Sequence, residues 1–130
     1  MECKQTLAIN ARNARSQDQL HIHISCLSAE ARLAIDRSIK NKSNSPIHIG
    51  PYYFYHQKID ISYLKKENAF KFIRGKVAGA EGNIYYSGAA LVNLTPSTFL
   101  LLWSSGSAQH GTFAEYIQDH TCKLAGTAAR

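Results

Sequence analysis

A chain of 130 residues with 45% hydrophobic and 10% aromatic content carries enough apolar material for one domain with a buried core, which excludes disorder as the default state. Fifteen Lys and Arg against nine Asp and Glu leave a formal net charge of +6, favouring anionic partners such as nucleotides, pyrophosphates or acidic lipid head groups. The basic residues are scattered rather than packed into a tail, so no nucleic-acid partner is expected.

The longest purely apolar run, Phe99 to Trp103, falls far short of the roughly twenty residues that cross a bilayer. With no apolar stretch at the N-terminus, the chain itself is expected to lack a transmembrane segment and to be soluble or peripheral. Cys3, Cys26 and Cys122 are odd in number and lack C-x-x-C spacing, so neither a closed disulfide framework nor a zinc knuckle is legible.

In chain order, Gln5 to Asn10 reads as a short strand, and the polar Asn13 to Gln17 as its connection to the next. From Gln19 to Leu27, Leu20, Ile22 and Ile24 alternate with His21, His23 and Ser25, the period of two that predicts a strand. Ser28 offers an N-cap for a helix over Ala29 to Lys40, whose apolar residues recur at helical spacing before the Asn41 to Pro46 breaker. Tyr52 to Ile59 reads as a strand and Ser62 to Ala78 as short helical pieces. Ile84 to Leu94 and Phe99 to Trp103 flank Thr95-Pro96-Ser97-Thr98 as a hairpin. Phe113, Tyr116, Ile117, His120 and Leu124 share one face of a predicted C-terminal helix. No repeat or long linker divides the chain, so residues 1–130 are expected to form a single α+β domain, an antiparallel sheet with flanking helices.

The histidine strand is the candidate for chemistry. Alternation sets His21, His23 and Ser25 about 6–7 Å apart along one face and turns Leu20, Ile22 and Ile24 toward the core. Two imidazoles so placed suit a metal site that finds a further ligand, a nucleophilic histidine with a neighbouring donor, or a pair of surface histidines without chemistry. His48, His56 and His110 lack a partner at ligand spacing and read as surface residues, and Cys26 as a packing residue.

The stretch from Leu7 to Leu27, LAINARNARSQDQLHIHISCL, resembles the signature block of CDP-diacylglycerol pyrophosphatases, which belong to the histidine-triad (HIT-like) superfamily. Ile117-Gln118-Asp119-His120-Thr121-Cys122 is similar to that family's C-terminal block. The resemblance implies a HIT-like fold and hydrolysis of CDP-diacylglycerol to CMP and phosphatidate. It places Asn10 and Asp18, with Gln17 beside it, at the superfamily's substrate-binding positions, and makes His21, His23 and Ser25 the three triad places, His23 being the nucleophile. A competing register puts Gln19 first and His21 in the centre.

Ser25 departs from the usual third histidine, and a hydroxyl cannot supply the same proton near neutral pH. His120, within the end block, joins the substrate-binding candidates, whereas Asp119 is expected to face solvent. Neither a metal nor another cofactor is implied. Family members are longer and membrane-anchored, so the resemblance also implies a bacterial inner-membrane address, a membrane-surface substrate and a HIT-like sheet incomplete at its N-terminus. The missing part would come from an N-terminal half or a homo-oligomer, and a cysteine there would pair with Cys122. The alternative reading is a truncated fragment that binds anionic nucleotide or phospholipid without turnover.

Overall fold

The computed structural model describes residues 4–14, 21–79 and 86–122. Strand β1 (Gln5–Ile9) is followed by a 3₁₀ turn (Arg12–Ala14), β2 (His23–Leu27), α1 (Ala29–Lys40), β3 (Ile47–Ile49) and β4 (Tyr52–Asp60). Then come α2 (Ile61–Lys66), α3 (Ala69–Gly79), the β5–β6 hairpin (Gly88–Thr95 and Thr98–Ser104), a second 3₁₀ turn (Ala114–Ile117) and β7 (Gln118–Asp119). The strands join one antiparallel sheet in the order β3-β4-β6-β5-β1-β2-β7. The architecture is α+β, as the strand and helix patterns predict.

Register decides what each face carries, because directly opposed residues in antiparallel strands share a face. His23 opposes Ala8, Ala8 opposes Ala90, and Ala90 opposes Leu102. The histidine therefore sits in a row that runs into the principal core, where Ala8, Leu27, Ala90, Val92, Leu100, Leu102 and Phe54 pack with Ala31 and Ile35 of α1. Helix α1 begins where Ser28 Oγ accepts from Ala31 N at 3.1 Å, satisfying one of the unpaired amides of the first turn. On the opposite face, Ile59, Ile73, Leu101 and Trp103 form a second cluster with Tyr63, Leu64 and Phe72 of α2 and α3.

Several expectations are corrected. The described strand begins at His23 rather than Gln19, with Gln17, Asp18 and Gln19 outside the described residues. The alternation holds, but Ile22 and Ile24 are 52% and 73% exposed instead of facing the core. The principal core lies on the histidine side, and the helices on the other face cover the β4–β6 side, leaving the β2 flank open among the described residues.

No C-terminal helix forms over Phe113 to Cys122. A single 3₁₀ turn gives way to β7, in which Gln118 opposes Leu27 and Asp119 opposes Cys26, and Leu124 lies outside the described residues. Pairing with the otherwise open edge of β2 outweighs the helical spacing of so short a segment. Asp119 is accordingly half-buried rather than facing solvent. Cys26 is not merely a packing residue, nor does Cys122 await a cysteine elsewhere: the two form a disulfide with Cα atoms 5.3 Å apart. Their separation along the chain gave no pairing cue, and the β2–β7 pairing supplies the proximity. Strand β3, only three residues long, is too short for its period to be read.

Candidate active site

The site forms where the ends of β1 and β2 meet the segment before β7. Ala11 N donates to Thr112 O at 2.8 Å, which brings the C-terminal segment alongside the residue following Asn10. Asn10, only 3% exposed, then pairs reciprocally with Glu115. Its Oδ1 accepts from the Glu115 backbone N–H at 3.0 Å, and its Nδ2 donates to Glu115 Oε1 at 2.8 Å.

The Glu115 carboxylate bridges two histidines. Oε1 lies 3.1 Å from His23 Nε2, and Oε2 lies 2.9 Å from His120 Nε2. At 15% side-chain exposure for Glu115 against 31% for His23 and 55% for His120, the carboxylate is sheltered while both rings reach solvent. Asn10 Nδ2 and His120 Nε2 hydrogen-bond the carboxylate, and His23 Nε2 stands at ion-pair distance from it; contacts of this kind to a carboxylate are charge-assisted. His21 stands beside this cluster, its ring centroid 6.3 Å from that of His23 and tilted by 54°.

The backbone under the cluster is braced. Gln118 Nε2 donates to Thr6 Oγ1 at 2.6 Å and to His23 O at 2.8 Å, tying β7 to its neighbour β2 and to β1 beyond it. Ser25 Oγ donates to Asp119 O at 3.4 Å, so the third residue of the row is engaged with β7 rather than with the imidazoles. The Asp119 carboxylate accepts from Thr121 N and Oγ1 at 2.9 and 2.6 Å, shaping the turn that carries His120, and the Cys26–Cys122 disulfide closes that turn onto β2. Tyr116 packs over Gly50, whose φ of +59° and contact with the ring leave no room for a Cβ. Its hydroxyl donates to Glu30 Oε2 at 3.2 Å, and the negative charge of Glu30 raises the phenol above its ordinary range.

Of the residues singled out by sequence, Asn10, His21, His23 and His120 come together and Ser25 lies on the same face two residues along. Gln17 and Asp18 are outside the described residues. Glu115, which joins the others, was missed: the legible signal was one carboxylate in the otherwise apolar or uncharged run Thr112 to Ile117, just before the end block. His48 stacks on exposed Tyr53 at 4.3 Å, and His56 Nε2 contacts Ser45 O at 3.0 Å; His110 is exposed. None of the three joins the cluster. Among the described residues no group of three or more His, Cys, Asp or Glu is arranged to hold a metal ion.

A separate cleft of about 800 Å³ is lined by Asn13, Tyr52, Tyr55, Ser105, Gln109 and His110 among others. The site is assigned to the Glu115 cluster instead, because the cleft brings no histidine and carboxylate together. The two are neighbours, since the Tyr52 ring meets that of Tyr116 edge-on at 6.0 Å.

Comparison with known proteins matches residues 2–126 to the family described as CDP-diacylglycerol pyrophosphatase. The chain is 32% identical over 123 residues to the probable CDP-diacylglycerol pyrophosphatase of Mycobacterium leprae, covering 92% of this chain and 46% of that protein. It is 34% identical over 123 residues to the probable CDP-diacylglycerol pyrophosphatase of Mycobacterium tuberculosis strain H37Rv, covering 91% and 47%. Against the CDP-diacylglycerol pyrophosphatase of Yersinia pestis it is 33% identical over 125 residues, covering 92% and 48%. The chain thus spans about half the length of the curated relatives it matches.

Proposed function

Because the chain belongs to the CDP-diacylglycerol pyrophosphatase family, we propose that it hydrolyses the pyrophosphate bond of CDP-diacylglycerol to CMP and phosphatidate, with His23 as nucleophile. The observation that carries this reading is the 3.1 Å approach of His23 Nε2 to the Glu115 carboxylate. In a neutral imidazole one nitrogen donates and the other keeps a lone pair. A carboxylate this close to Nε2 favours a proton there and leaves the lone pair on Nδ1, the logic by which carboxylates orient catalytic histidines.

Nδ1 attacks the cytidylyl phosphorus, the N–P bond forms, and the P–O bond to phosphatidate breaks with its electron pair on the departing oxygen. Water then attacks phosphorus, the N–P bond breaks, its pair returns to Nδ1, and CMP leaves. Phosphatidate departs as a phosphate monoester with a second pKa of about 6 by analogy with phosphorylated side chains, so a strong acid is not needed in the first step. That accommodates Ser25 at the third place of the row.

His21 flanks His23 and supplies a donor for the phosphoryl oxygens, whereas Asn10, buried and bonded to Glu115, holds that carboxylate in place instead of contacting substrate. Gln17 and Asp18 are retained as substrate-binding residues on the family resemblance alone, as is the HIT-like reading of the sheet. The scheme uses no metal or other cofactor.

The lipid substrate places the protein at a membrane surface, in line with the family's inner-membrane address. No helix among the described residues is long and apolar enough to cross a membrane. The Cys26–Cys122 disulfide supports an oxidising compartment such as the bacterial periplasm. Incubation with CDP-diacylglycerol in detergent micelles tests the activity: CMP and phosphatidate in equal amounts are expected, and unchanged substrate contradicts it.

A further inference from the structure

We propose that His120 is the base that takes the proton from water in the second step, with Glu115 acting as a positioning residue for both histidines. The inference rests on the reading of His23 as nucleophile. Breaking the N–P bond with water requires that a proton leave the attacking oxygen, and a positioned side chain accelerates such a transfer by about 10²–10⁴-fold. Ser25 is unsuited, since a hydroxyl is a poor base near neutral pH and its own proton is directed to Asp119 O.

His120 meets the requirements. Its Nε2 is held by Glu115 Oε2 at 2.9 Å, so in the neutral ring the lone pair is on Nδ1, as at His23. Its side chain is 55% exposed, giving water access. Both imidazoles contact the same carboxylate, one per oxygen, which keeps them within reach of one phosphoryl group. The β7 pairing, the Asp119 contacts to Thr121 and the disulfide to Cys26 hold the His120 turn against β2. The step balances: the water oxygen bonds to phosphorus, its proton goes to His120 Nδ1, the N–P pair returns to His23, and His120 passes the proton to solvent.

The test is rapid-quench measurement of phosphatidate and CMP separately, with intact-mass analysis of the protein, for the wild type, His120→Ala, His120→Gln and His23→Ala. Glutamine can donate to Glu115 but cannot take the proton, which separates proton transfer from positioning. Both His120 variants are expected to release one phosphatidate per chain in a burst, to accumulate a cytidylyl adduct, and to release CMP about 100-fold more slowly than the wild type. Added imidazole restores CMP release in His120→Ala.

Equal slowing of both products without an adduct, or wild-type CMP release by His120→Gln, overturns the role of His120 and leaves His23 as nucleophile standing. If His23→Ala releases CMP at the wild-type rate, the nucleophile reading falls and this inference with it.

Discussion

Glu115 Oε1 lies 3.1 Å from His23 Nε2, although the two residues come from opposite ends of the chain. The contact exists because β2 lies between β1 and β7, and because Asn10, at the end of β1, grips both the side chain and the backbone of Glu115. The histidine strand alone presents imidazoles. The 3₁₀ turn that leads into β7 sets a carboxylate beside the imidazoles of His23 and His120.

Replacing Glu115 by Gln keeps the size of the side chain but removes the charge and lets an amide N–H face an imidazole. By analogy with carboxylate-to-amide changes beside other catalytic histidines, CMP release is expected to fall by about 10²–10⁴-fold. Steady-state kinetics with CDP-diacylglycerol measures this, and a loss smaller than about threefold would show that the contact is not used in catalysis.

The Cys26–Cys122 bond closes a sequence separation of 96 residues, so its loss is expected to cost about 2–4 kcal/mol of stability. Urea titrations with and without reductant, alongside Cys122→Ser, give the value. CMP release is expected to decline with it, because His120 lies only two residues from the cross-link. An unchanged urea midpoint on reduction rules out this stabilisation.

The exchange of faces on β2 predicts an asymmetry between neighbours. Leu27 is 1% exposed and Ile24 is 73% exposed. Leu27→Ala is expected to cost about 2–5 kcal/mol through lost burial and the cavity left behind. Ile24→Ala should change stability by no more than about 0.5 kcal/mol. Equal costs in denaturant titrations would place Ile24 in a core and contradict the register.

Asp60 caps α2, its carboxylate accepting from Ser62 Oγ at 2.6 Å and from Tyr63 N at 2.8 Å. The Ser62 bond first, and then the Tyr63 amide, hold its carboxyl below the ordinary carboxylate range. A depressed folded value means that the contribution is present above the unfolded pKa and is lost as pH falls through the folded one. Melting temperatures of the wild type and Asp60→Ala are therefore expected to differ at neutral pH and to converge in acid. A gap that widens on acidification reverses the sign and refutes the assignment.

The antiparallel sheet, α1 with its Ser28 cap and the β5–β6 hairpin were all legible, because each rests on local periodicity or on a capping or turn residue. The family resemblance also pointed to Asn10, His21, His23 and His120, which the fold sets around or beside Glu115. Which face of β2 is buried was not legible: alternation gives two faces, and tertiary packing chooses between them. The apolar character of Ile22 and Ile24 pointed the wrong way because α1 and the 3₁₀ turn at Ala114–Ile117 pack on the histidine side. Glu115 and the disulfide escaped for one common reason. Both depend on β7, a two-residue strand whose pairing is long-range and whose sequence reads as helix.

The central claim is that His23 is the nucleophile, and CMP release from CDP-diacylglycerol micelles in the presence of EDTA, by the wild type and by His23→Ala, tests it most directly. Activity in the wild type and its abolition in a variant with an unchanged melting temperature is the predicted result. CMP release by His23→Ala at the wild-type rate would contradict it.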